Sequence, residues 1–361
     1  MRLFFTNLFA LLVVAGFSSG LLPAQINSAT PTTPATAAVS GSISGSSIAL
    51  HATSTMNVAS EMGGAFMSSS KCDADGNLYI RKLAMDRPLL GPVVKIDPEG
   101  KRIALFDPAA FSQLALDRAD AFSPAVDGGM YQIAQSGVVK PRIYVLHFSS
   151  DGSPASPTRL DADFEVYTFA AFADGNFLLS GVQRDVQNRN DRGRNFTAVF
   201  SADGRELTQG SFQEPQGPAQ AGAKSDARKD AEKPTLDLTD AEVGSDGNLY
   251  VMRASSPVLV YVIAPSGKIM RTLKVGAPLP GATPSAFHVS ENRLAISFWN
   301  EESQSRMVAV ADAQTGRKVA GYADSTELGT SFACYEANEG VFTFLKLGEG
   351  NELEVIRAEA Q

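Results

Sequence analysis

Residues 246–275 read DGNLYVMRASSPVLVYVIAPSGKIMRTLKV. An Asp-Gly-Asn turn opens the apolar run LYVM. A second run, VLVYVIA, follows, then a Pro-Ser-Gly turn and a more mixed third run. Asp-Gly and Gly-Asn pairs supply the positive φ that tight hairpins require. The stretch therefore reads as short strands joined by hairpins. Its apolar runs are continuous rather than alternating. A strand with one wet face alternates, so these strands belong to sheets covered on both faces.

The same signature recurs along the chain. Asp75-Gly76-Asn77 precedes LYI, Asp127-Gly128-Gly129 precedes MYQI, and Asp174-Gly175-Asn176 precedes FLL. Two degenerate copies follow Asp246: Ser290-Glu291-Asn292 before RLAISF, and Asn338-Glu339-Gly340 before VFTFL. Taking Asp75, Asp127, Asp174, Asp246, Glu291 and Asn338 as markers, the gaps are 52, 47, 72, 45 and 47 residues. The longest falls to 49 once the 23 residues 213–235 are set aside, a stretch rich in small and charged residues with no apolar period. Between markers lies a second hairpin: residues 93–106, 143–160, 197–212, 258–275 and 307–322, with the single run ELEVIRA at 352–358.

Each unit of about 47 residues thus holds four short strands. Four-stranded sheets packed face to face around an axis cover both faces of every sheet, which predicts an all-β, six-bladed β-propeller. A β-sandwich is the competing fold; it predicts stronger alternation and no fixed period. The sixth copy lacks its fourth strand. Residues 47–52, SIALHA, either supply it and close the ring, removing exposed edges, or merely end the segment before them. Asp107-Pro108 followed by AAFSQLAL predicts an N-cap, an N1 proline and a short helix.

On the DGNLYI and DGNLYV turns, followed by KIDPEGKRI and VIAPSGKIM, the chain resembles the six-bladed propellers of the NHL and TolB-like type over residues 48–358. That superfamily holds lactonases, lyases, peptide-modifying enzymes and binding platforms, so the resemblance implies a fold and does not choose a function. Its gluconolactonase-like branch holds a divalent metal with Glu, Asn and Asp at the ends of the innermost strands. The innermost strands here offer Glu61, Asp120, Asp240, Glu242 and Glu336 without a repeated Asn-Asp pattern. No register brings four oxygen ligands together, as a hard cation wants. No catalytic residue, metal or cofactor is assigned.

The chain has 361 residues, 44% of them apolar and 19% charged, enough for one large core or two. Lys and Arg number 31 against 39 Asp and Glu, and the net charge of −8 argues against nucleic acid as a partner. Residues 1–24 read as a signal peptide: Arg2, the apolar run LFALLVVAGF at 8–17, and Leu22-Pro23-Ala24 for cleavage. The run is too short for a comfortable membrane span, which needs roughly 20 residues. Residues 25–47 are rich in Ser, Thr, Ala and Pro and read as a disordered spacer before the propeller at 48–358. The expected location is therefore periplasmic or extracellular, with no stable membrane insertion after cleavage.

In a four-stranded blade the turns after strands one and three share one face. The long segments 82–92, 107–119, 182–195 and 213–235 all fall on the other. Loops on a rigid scaffold carry binding, so a protein, peptide or carbohydrate ligand is expected on that long-loop face. Its candidate residues are Arg184, Arg189, Arg192 and Arg194, suited to gripping carboxylates or phosphates, and Trp299, which begins another loop and offers stacking. His288 and Glu242, on inner strands, are further ligand candidates; the alternative is a lactonase-like hydrolase or lyase at the central channel, where His288 as a general base needs a partner within hydrogen-bond reach that the sequence does not show. Most such histidines and charge-rich loops are structural or solvated. Cys72 and Cys334 each fall near the end of an inner strand, one in the first unit and one in the last. In an oxidising compartment they form a disulfide if the ring closes, or remain two separate buried thiols if the inner strands lie too far apart.

Overall fold

The computed structural model describes residues 47–63, 67–137, 141–160, 164–183, 193–209, 238–323, 327–329, 331–348 and 352–360. The expected signal peptide, all of the spacer but Ser47, the 213–235 insertion, and Arg184, Arg189 and Arg192 lie outside the described residues.

Strand β1 (Ile48–Asn57) leads into one helical turn, Ala59–Met62. Four antiparallel four-stranded sheets follow. The first holds β2 (Met67–Cys72), β3 (Leu78–Lys82), β4 (Val93–Ile96) and β5 (Arg102–Phe106). The second holds β6 (Arg118–Pro124), β7 (Met130–Ser136), β8 (Arg142–Phe148) and β9 (Thr158–Leu160). The third holds β10 (Phe164–Ala171), β11 (Phe177–Gln183), β12 (Arg194–Phe200) and β13 (Glu206–Gln209). The fourth holds β14 (Asp240–Val243), β15 (Leu249–Arg253), β16 (Val258–Ile263) and β17 (Ile269–Val275).

The last sheet has eight strands. They are β18 (Thr283–Ser290), β19 (Arg293–Asn300), β20 (Ser305–Asp312), β21 (Lys318–Ala323), β22 (Ser331–Glu336), β23 (Val341–Leu347) and β24 (Leu353–Ala360), joined by β1. Their order is β18-β19-β20-β21-β1-β24-β23-β22. β1 pairs antiparallel with β24 from Leu50 to Asn57. It meets β21 in parallel through Ile48 and Ala49 alone. So residues 48–57 form a paired strand that covers the outer edge of β24.

The strands β2, β6, β10, β14, β18 and β22 ring a common axis. β6 packs on β10, β10 on β14, β14 on β18, β18 on β22, and both β22 and β6 return to β2. The apolar runs explain why. Val258–Ile263 is buried along nearly its whole length, because one face meets the preceding sheet and the other the following one. Val260 and Val262 pack toward β18 and β19, while Tyr261 and Ile263 pack toward β10 and β11. Apolar clusters of this kind fill each gap around the axis, including the gap between β22–β24 and β2–β4. The fold is an all-β propeller of four-stranded antiparallel sheets, and the sandwich alternative falls.

The Asp-Gly-Asn turns behave as their composition dictates. Gly76 and Gly247 adopt φ of 77° and 75°. The Asp246 carboxylate accepts the Asn248 backbone N–H at 3.1 Å. The helix expected after Asp107 is instead a 3-10 segment, Pro108–Leu114, with Asp107 capping the Ala109 N–H. Phe111 leaves helical geometry there because its ring is drawn into the core against Phe148. Arg87 donates to both oxygens of Asp107, at 2.9 and 2.8 Å, and ties two of the long segments together.

Candidate functional site

The inner strands run from the long-loop end of the axis to the Asp-Gly-Asn end, and a lysine crosses between them. The Lys71 ammonium, on β2, donates to Asp240 Oδ1 and to the Ala241 carbonyl on β14, both at 2.9 Å. These strands belong to the first and fourth sheets and stand opposite one another around the ring. The side chain is therefore a strut across the channel. Only 15% of the Lys71 side chain is exposed, against 31% for Asp240, which faces the open side. Burial disfavours the Lys71 ammonium, but the charges of Asp240 and Glu242 outweigh it and raise its pKa above the ordinary value. Burial, with Glu242 adding its repulsion, lifts the Asp240 carboxyl above the ordinary range while Lys71 pulls the other way.

On the long-loop side of the strut lies a cavity of about 340 Å³. Lys71 and Asp240 contribute to its lining, with Arg81, Arg118 and Asp120 around them and Tyr167 exposed beside them. Arg118 forms an ion pair with Asp120, and Arg81 donates to the Ala119 carbonyl. Tyr167 is 55% exposed. It sits where the β10–β11 register shifts, between Val166 and Thr168. A β-bulge re-aims the side chain it carries, and here it lets an aromatic stand clear of the core.

On the other side, at the Asp-Gly-Asn turns, is a cavity of about 220 Å³. Glu242 and His288 line it with Asp73, Asp75 and Glu291. Glu242 Oε2 accepts the Val289 N–H at 3.0 Å and stands 2.9 Å from His288 Nδ1. The two side chains are at ion-pair distance, yet Nδ1 lacks an aligned hydrogen bond. We take the pair as in contact without a directed bond, because distance and angle are separate requirements.

Several expected residues fall elsewhere than expected. Glu242 and His288 are at the Asp-Gly-Asn end, not on the long-loop face, because each lies near the end of its inner strand. Trp299 does not begin a loop. It is inside β19, paired with Thr283 and Arg306, and half-buried. Arg194 is the first residue of β12. Glu61 leaves the channel altogether, its carboxylate accepting the Arg102 N–H at the outer strand β5. Glu336 pairs with Arg357 at 3.0 Å. His147 stacks on Tyr131, away from both cavities. Cys72 and Cys334 are joined by a disulfide with Cα atoms 5.7 Å apart, linking β2 to β22.

Sequence reasoning missed Lys71, Arg81, Arg118 and Tyr167. One signal was present: Lys71 is the sole charge in SSSKC, next to a core-facing cysteine, and alternation sends it to the axis. Among the described residues no group of three or more His, Cys, Asp or Glu is arranged to hold a metal ion, and no helix is long and apolar enough to cross a membrane.

No protein-family model matches the chain, and no curated protein sequence matches it. Solved structures do. A protein of unknown function from Bacteroides caccae is 13% identical, with 74% of this chain and 84% of that one covered and a TM-score of 0.44. The Neurospora crassa Pan2 WD40 domain is 10% identical, with 88% and 97% covered and a TM-score of 0.45. The PQQ-bound aldose sugar dehydrogenase of Streptomyces coelicolor is 13% identical, with 87% and 98% covered and a TM-score of 0.44. Likenesses at these TM-scores carry no weight for function. The architecture rests on the strand pairing itself.

Proposed function

We propose that this chain is an exported six-bladed propeller of the NHL or TolB-like type. In this reading it binds a protein, peptide or carbohydrate ligand through its long-loop face. The eight-stranded sheet is read as two blades welded by β1. The weld is two residue pairs long, and an apolar cluster separates β18–β20 from β22–β24 just as clusters separate the other sheets. Export is supported by the leader pattern at residues 1–24 and by the disulfide, a bond of oxidising compartments.

The observation that carries the binding role is the strut. It turns an axial tunnel into a blind cavity floored by Lys71 and Asp240, with Arg118 and Tyr167 at the wall. Arginine grips carboxylates and hydroxyl groups, and an exposed tyrosine stacks on a sugar or peptide plane. Array screening with peptides and oligosaccharides tests it. Hits should weaken at least tenfold in Arg118→Ala and Tyr167→Ala and be unchanged in Val319→Ala, on the outer strand β21 and outside both cavities. Hits indifferent to Arg118 and Tyr167 would refute the assignment of the face.

The second reading is the lactonase-like hydrolase or lyase, favoured by one contact, Glu242 beside His288. A carboxylate against one imidazole nitrogen is the arrangement of a general base. A panel of lactones, esters and sugar acids, with and without Ca²⁺ or Zn²⁺, decides it. Turnover lost in Glu242→Ala or His288→Ala would replace the binding role with this one.

A further inference from the structure

The cavity at the Asp-Gly-Asn end carries negative charge that its own cations do not balance. Asp240 and Glu242 are two residues apart on β14 and share one face of the sheet, Asp240 at the long-loop cavity and Glu242 at this one. One ammonium, Lys71, serves the two carboxylates, and it donates to Asp240 and to the Ala241 carbonyl. The Glu242 side chain is 10% exposed and His288 is 5% exposed. Among the described residues no lysine or arginine stands within ion-pair distance of Glu242, and the His288 imidazole lies 2.9 Å from it. The imidazole is itself buried in the cavity wall with Nδ1 lacking an aligned hydrogen bond.

The remaining charges at this end deepen the imbalance. Asp75 and Glu291 stand at the rim. The nearby cations are already engaged, Lys95 with Asp73 at 3.2 Å and Arg357 with Glu336 at 3.0 Å. The hydroxyls are engaged too. Ser123 accepts the Ala171 N–H, and Ser290 accepts the Ala337 N–H. Between the acids the wall is apolar: Pro124, Val126, Val243 and Val289, with Val126 67% exposed. An acidic floor behind an aliphatic collar suits a cation on a hydrocarbon stem, whose chain packs while its head is solvated by oxygen. At about 220 Å³ the space is below the roughly 300–1,000 Å³ of a drug-sized site, so its occupant is small.

We propose that this cavity binds a primary alkylammonium group, with the ammonium on Glu242 and the aliphatic stem against Val126 and Val243. The group comes either from a lysine side chain of a partner or from a free alkylamine. This site lies across the strut from the long-loop cavity and does not depend on the role assigned there.

Calorimetric titration with n-butylammonium, with n-butanol as its neutral counterpart, tests the proposal. Saturable binding of one n-butylammonium per chain is expected, at least tenfold tighter than n-butanol, and at least tenfold weaker in Glu242→Gln. Equal binding of the two compounds to the unmodified protein overturns the proposal, and so does unchanged affinity in a folded Glu242→Gln. If that variant does not fold, the comparison of charged and neutral compounds on the unmodified protein decides. Two further arms separate the sources: a blocked lysine tripeptide that binds, with its Nε-acetylated form silent, assigns a protein side chain, whereas n-butylammonium binding without the tripeptide assigns a free amine.

Discussion

Replacing Lys71 by methionine keeps the stem of the strut and removes its charge. Asp240 then loses its ion pair at 2.9 Å, the Ala241 carbonyl loses a donor, and Glu242 loses the positive charge of Lys71 that it interacts with. Breaking one side of a buried ion pair typically costs about 3–5 kcal/mol. Asp240 keeps 31% of its side chain exposed, so solvent screening brings the expected loss to about 2–3 kcal/mol. Urea unfolding at neutral pH measures it as a lowered midpoint at unchanged slope.

The pH dependence follows from the sign of the Asp240 shift. Its carboxyl is already raised in the folded protein by burial, and removing Lys71 raises it further. A group raised on folding favours the folded state at low pH, below its unfolded value, and that advantage is lost as pH rises through the folded value. The variant should therefore recover part of its deficit on acidification toward pH 4. The double variant Lys71→Met, Asp240→Leu should recover most of it at every pH, since an apolar pair is often no worse than a buried ionic one. A single variant within about 0.5 kcal/mol of the parent, the range of an ordinary surface substitution, would refute the strut as a buried ion pair. A double variant no better than the single would refute the electrostatic account of its cost.

Reducing the Cys72–Cys334 bridge, or Cys72→Ser with Cys334→Ser, frees a loop of 262 residues; chain entropy puts the cost at up to about 5–6 kcal/mol, and denaturant unfolding with and without reductant checks it. Removing residues 48–57 strips the partner from β24 and exposes its edge, so light scattering should show a self-associating or unfolded chain. Burial, and then the Asp246 charge, lift the Tyr250 phenol to about 12. Stability from this group is complete below the unfolded value near 10 and lost as pH rises from 10 to 12, by about 2–3 kcal/mol at roughly 1.4 kcal/mol per pKa unit. Denaturant midpoints at pH 8, 10 and 12 should fall less steeply in Tyr250→Phe.

The sheets are legible in the sequence because a strand and its turn are local objects. DGNLYV and APSGK state where the chain must reverse, and VLVYVIA states that both faces are covered. The site was legible only in part. Glu242 and His288 were visible as polar residues on inner strands, yet the end of the axis they serve depends on where along its strand each one lies. Trp299 follows an apolar run, a position that suggests the start of a loop, but β19 continues through Asn300 and keeps the ring in the sheet.

Local chemistry by itself determined the repeat, the hairpins and the two-faced burial of the strands, since each follows from residues within a few positions of one another. The strut did not follow. Lys71 and Asp240 are 169 positions apart, and nothing in either neighbourhood names the other. Only the closing of the ring put their strands across one axis, where a lysine is long enough to span it and two acids on one strand outnumber it. Which cavity exists, and what charge it holds, was decided by that convergence.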